Sequence, residues 1–127
     1  MKSYQTLEFA VALNRLVDLP DGLSKQQLEK HLGQDMKFIS LLMTTWEGLG
    51  ILTYRREVSL EILEDFFSGP IALSWQKLRR TVEEMRRIGG RDTYYEWFQW
   101  LAERLEERET AAIPIPANIE HRNWQVR

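Results

Sequence analysis

Between Ile71 and Met85 the apolar residues Ile71, Trp75, Leu78, Val82 and Met85 step by four and three in turn. Only a helix brings such steps onto one continuous seam. Tyr94, Phe98, Leu101 and Leu105 repeat the pattern beyond Gly89-Gly90. Two seams joined by a short Gly-Gly break predict an antiparallel helix pair. Two heptads are too few for a free coiled coil, so the pair belongs inside a bundle. Charge supports the pairing. Residues 70–91 carry Lys77, Arg79, Arg80, Arg86, Arg87 and Arg91 against Glu83 and Glu84. Residues 92–109 carry Asp92, Glu96, Glu103, Glu106, Glu107 and Glu109 against Arg104 and Arg108. Exposed cross-pairs are worth about 0.2–1 kcal/mol each, enough to choose a partner while apolar burial supplies most of the stability.

The rest of the chain reads as shorter helices. Apolar rows predict a buried helix over residues 3–18, ended by the Leu19-Pro20-Asp21-Gly22 turn. Ser24 and Gln27 make a capping-box pair for a helix reaching Leu32, with Gly33 as its stop. Asp35 is placed to cap a third, central helix, which carries Phe38, Ile39, Leu42, Met43 and Trp46 and ends at Gly48-Leu49-Gly50. Ser59 can cap an acidic helix through Phe67, and Gly69-Pro70 restarts the chain as the seam helix. Asp92 is placed to cap the sixth. The expected fold is all-α, a single-domain bundle of about six helices over residues 1–109, with an extended Pro-containing tail over 110–127.

The chain has 127 residues and no cysteine, which removes disulfides, thiolate catalysis and iron–sulfur ligation together. A net charge of −2 gives no global attraction to nucleic acid or anionic lipid. The apolar run Phe9-Ala10-Val11-Ala12-Leu13 is broken by Asn14 and Arg15, so it is neither a membrane span nor a signal peptide, and a cytoplasmic location is the simplest expectation.

No catalytic, cofactor-binding or metal-ligating constellation stands out. Glu61, Glu64 and Asp65 complement the dipole of a first helical turn, and His31 and His121 belong to no ligand motif. The Lys77 to Arg91 cluster reads as a solvated face opposing the acidic helix, because no Gly-rich loop accompanies it. Residues 24–57 have a helix-turn-helix rhythm, with Lys37, Arg55 and Arg56 as the available DNA contacts. The central helix is otherwise crowded with apolar residues, so nucleic acid is the lesser alternative. Glu47, within the most apolar helix, needs a cation if buried, and Arg79 or Arg86 could supply one. Tyr94, Tyr95, Trp97, Phe98 and Trp100 cover more than one helix face, so some serve no core seam. Trp97 and Trp100, with Trp124 in the tail, are the candidate interface anchors.

The segments Trp46-Glu47-Gly48-Leu49-Gly50-Ile51-Leu52, Phe66-Phe67-Ser68-Gly69-Pro70-Ile71, Ser74-Trp75-Gln76-Lys77-Leu78-Arg79 and Tyr95-Glu96-Trp97-Phe98-Gln99-Trp100-Leu101-Ala102 resemble a bacterial all-helical family, domain of unknown function 4760. The resemblance implies a helical module, in many relatives placed after an N-terminal membrane-spanning helix. It brings no catalytic residue. Residues and resemblance together lead to one expectation, a non-enzymatic interaction or structural module with no cofactor or small-molecule ligand, engaging a protein or itself. The alternative is a winged-helix-like DNA-binding regulator using residues 24–57.

Overall fold

A computed structural model describes residues 6–111 and 113–126. The helices are α1 (Leu7–Val17), α2 (Lys25–Leu32), α3 (Met36–Tyr54), α4 (Leu60–Gly89), α5 (Glu96–Ala111) and the single turn α6 (Ala117–Glu120), with a 3₁₀ turn at Gly33–Asp35 before α3. The described residues contain no strand. Residues 3–5 of the expected first helix lie outside them.

Local chemistry starts three of these helices, two of them at the expected caps. Thr6 Oγ1 accepts the Phe9 amide at 3.1 Å, and Ser24 and Gln27 close a reciprocal capping box. Ser59 accepts the Ile62 amide. Asp35 occupies the N-cap of α3 without capping it, since its carboxylate lies 3.2 Å from Arg15 on α1.

The acidic helix and the seam helix are one element. α4 runs unbroken through Gly69 and Pro70 for 30 residues, roughly 45 Å. An interior proline costs about 3 kcal/mol. Phe67 and Ile71 flank it and are both buried, each contributing about 1.5–3 kcal/mol, so straight continuation outweighs the break. Ser74 Oγ also donates to the Pro70 carbonyl at 2.6 Å.

The core gathers around α3. Trp46 from α3 meets Phe9 from α1 and Phe67 from α4, with ring centroids 5.4–6.0 Å apart. The indole donates to Ser74 Oγ at 2.9 Å, so this buried N–H has an acceptor. The seam residues Ile71, Trp75, Leu78 and Val82 are buried as their spacing predicts, as are Phe98, Leu101 and Leu105 of α5. Trp75 packs edge-on against Phe98 at 5.3 Å.

Charge does less across this pair than the net charges suggest. Arg79 pairs with Glu83 and Arg80 with Glu84 inside α4, and Arg104 with Glu107 inside α5. Among the described residues one ion pair joins the two helices, Arg108 to Glu64 at 2.9 Å, and its cation comes from the acidic helix. The basic helix is not simply a solvated face either. Lys77 is buried, and its ammonium donates to the carbonyls of Val17, at 3.0 Å, and of Leu19, which satisfies the exit from α1. Gln76 holds Asp21, Arg80 the Gly22 carbonyl, Thr81 the Leu23 carbonyl, and Glu84 accepts the Lys25 amide. One polar stripe of α4 thus fixes the whole α1–α2 connection.

Past α5, residues 113–116 carry no regular structure and residues 117–120 turn once as α6, so the tail is not extended throughout. Ile113, Ile115, Ile119, Trp124 and Val126 are all exposed.

Candidate interaction surface

The second half of α3 builds the start of α5. Glu47, Gly50 and Tyr54 are three and four residues apart and share one helix face. Each meets α5 differently. The first amides of a helix have no intrahelical acceptor. Asp92 does not supply one, because α5 begins only at Glu96, after Tyr95 at φ 55°. Glu47 reaches across from α3 instead, accepting the Phe98 amide at 2.7 Å.

That replaces the expected ion pair. Arg79 is committed to Glu83, while Arg86 donates to the Tyr94 carbonyl at 2.9 Å and to Gln99 at 2.7 Å. Burial pushes the Glu47 carboxyl above its usual value, with a smaller push from Glu96. The amides of Phe98 and Trp97 and the charge of Arg86 pull the other way without overcoming it.

A carboxyl with a raised folded pKa contributes stability that is fully present below its ordinary value and is lost as pH rises through the raised one. Glu47→Gln keeps an oxygen for the Phe98 amide and has no charge to desolvate. Its stability relative to the parent is therefore expected to improve from about pH 4 to about pH 7 in urea melts. Glu47→Ala removes the cap and is expected to cost about 0.5–2 kcal/mol. A Gln variant that instead lost ground as pH rose would show that the charged form is the stabilised one.

Gly50 permits the closest approach. A Cβ built there would lie 2.3 Å from the Trp97 carbonyl oxygen, so this glycine is a contact point and not the end of α3, which continues to Tyr54. Behind α5, Gly90 turns left-handed at φ 67° and the Arg91 amide returns to the Arg86 carbonyl. The Tyr94 ring lies so close over Gly89 that a Cβ there would be 2.7 Å from it.

On this frame Tyr54, Trp97 and Trp100 form an aromatic ridge. Tyr54 lies 4.9 Å from Trp97 and 6.0 Å from Trp100, and the two indoles are 5.8 Å apart, with interplanar angles of 47°, 83° and 73°. Arg104 stands 5.8 Å over the Trp100 ring. At such spacing the rings pack on one another and leave no room for a cation between them. They present edges and faces outward: Tyr54 is 60% exposed and both indoles are half-buried. Sequence reasoning missed Tyr54. Its position on the face of Glu47 and Gly50 was the available signal.

The other singled-out residues lie elsewhere. Trp124 is exposed in the tail and makes no ring contact with the ridge among the described residues. Lys37 and the Arg55-Arg56 pair stand at opposite ends of α3, roughly 27 Å apart. Residues 53–58 turn through bonds from Arg56 to Thr53 and from Glu57 to Leu52, with no β-hairpin. Lys37 sits over Phe38 at the rim of an open apolar depression of about 500 Å³ between α1 and α3, with Leu7, Val11 and Leu41. No group of three or more His, Asp or Glu side chains among the described residues is placed to hold a metal ion. No described helix is long and apolar enough to cross a membrane.

The family model described as Domain of unknown function (DUF4760) matches residues 2–105. No curated protein matches, and no solved structure does.

Proposed function

Because the chain belongs to the DUF4760 family, whose description assigns no activity, we propose its function from the surface itself: a non-enzymatic module that binds a protein through the Tyr54–Trp97–Trp100 ridge. One observation carries this reading. Three large aromatic side chains pack together at the surface, on a backbone fixed by the Glu47 cap, the Gly50 contact and the Arg86 bridge. Aromatic residues and arginine dominate binding energy at protein interfaces, and rings already held in place lose little freedom on docking. The exposed apolar residues of the tail add to the accessible apolar surface.

Co-purification from native cells tests the reading. Partner recovery is expected to fall sharply for Tyr54→Ala and Trp100→Ala and to persist for Ile88→Ala, an exposed apolar position on α4. Circular dichroism would confirm that each variant folds. An unchanged partner set in both aromatic variants would overturn the proposal.

A further inference from the structure

We propose that the ridge takes the Ile113-Pro114-Ile115-Pro116 segment of a second copy of this chain, each copy giving its tail to the other. The inference rests on the ridge being a binding surface and names its occupant.

The segment has the form that aromatic surfaces recognise. Alternating prolines exclude helix, and Pro116 sits at φ −56°, ψ 137°, the polyproline II region. Ile113 is 91% exposed and Ile115 57%. A segment already extended by its prolines pays little ordering entropy on docking, and the flat faces of Trp and Tyr pack well on pyrrolidine rings.

The segment does not lie on the ridge of its own chain, where Ile113 and Ile115 stay exposed. Trp97 and Trp100 lie fourteen and eleven residues before Ala111, roughly 21 and 16 Å along α5. Pro114 and Pro116 are three and five residues beyond Ala111, about 10 and 17 Å of fully extended chain, so even turned straight back the segment ends level with Trp100, short of Trp97, and cannot cover the ridge. The docked prolines come from another molecule. Charge favours that arrangement. Arg55 and Arg56 are exposed directly after Tyr54, and the segment is preceded by exposed Glu106 and Glu109, so an incoming α5 end brings carboxylates toward the cations beside the ridge. Mutual exchange closes with two-fold symmetry, leaving no ridge open and no filament.

Sedimentation velocity on the full chain reads the result. A concentration-dependent dimer is expected. Tyr54→Ala and the double variant Pro114→Ala/Pro116→Ala should each weaken it by about tenfold or more, and added salt should weaken it further. An equal mixture of the two variants should recover part of the association, because the first supplies intact tails and the second an intact ridge. A peptide of residues 109–118 should compete. A parent that stays monomeric and does not bind this peptide overturns the exchange and leaves the ridge open to a different protein. A dimer sensitive to Tyr54→Ala but not to the proline variant keeps the ridge and removes the tail as its occupant. A dimer indifferent to both contradicts the exchange and the ridge together.

Discussion

Gly50→Ala is expected to destabilise the chain by about 3 kcal/mol or to prevent folding, a large effect for one added methyl group. In an open helix the same substitution helps, because alanine exceeds glycine in helix propensity by about 1 kcal/mol. The sign reverses here because the new Cβ would stand 2.3 Å from the Trp97 carbonyl oxygen and 2.9 Å from its carbon. Both are backbone atoms, so no rotamer change relieves the clash and α3 and α5 must separate. Separation also strains the Glu47 to Phe98 bond and the packing of buried Phe98 and Leu101. Gly48, two residues earlier, has nothing within 4 Å of its Cβ position, so Gly48→Ala is expected to stabilise by a few tenths to about 1 kcal/mol. Urea midpoints for the two variants should move in opposite directions. Equal midpoints would mean that α3 and α5 do not approach as described.

Trp46→Ala is expected to cost about 3–5 kcal/mol, the range for removing a large aromatic from a core. Trp46 is fully buried where α1, α3 and α4 meet, so its loss removes ring contacts to both Phe9 and Phe67. The indole hydrogen bond is separately measurable. Ser74→Ala keeps the ring but strands its N–H in the interior, for which about 1–3 kcal/mol is expected. Trp46→Phe removes the donor, so no N–H is stranded, and Ser74 Oγ still donates to the Pro70 carbonyl; with most of the ring volume kept it should cost less than Trp46→Ala. A Trp46→Ala chain as stable as the parent would contradict a core centred on α3.

Helical class, the central place of α3, the buried seams and the caps at Ser24 and Ser59 were all legible from spacing and side-chain type. These features depend on period or on neighbours a few residues apart. What escaped depends on distance between elements. Gly50 and Pro70 carry the residue types that usually end helices, yet each lies inside one, because a neighbouring backbone needs the space at Gly50 and apolar burial continues on both sides of Pro70. Lys77 looks like its solvated neighbours in sequence, and only the return of the α1–α2 connection over α4 gives its ammonium two carbonyls. Glu47 was recognisable as out of place among apolar residues. Its partner was not, since an amide at the start of another helix leaves no mark in composition. For the candidate surface, Trp97 and Trp100 stood out as surplus aromatics, Trp124 proved remote from them, and Tyr54 became relevant only once α3 was seen to continue past Gly50.

The ridge is proposed as the surface through which this chain binds. Hydroxyl-radical footprinting tests it directly, because Tyr and Trp side chains react readily where solvent reaches them. In the chain with its partner bound, whether another copy or a different protein, oxidation of Tyr54, Trp97 and Trp100 is expected to fall well below that in the free chain, while Ile88 on α4 stays as reactive as before. Unchanged oxidation of all three ridge residues, with protection appearing on another face, would contradict the account.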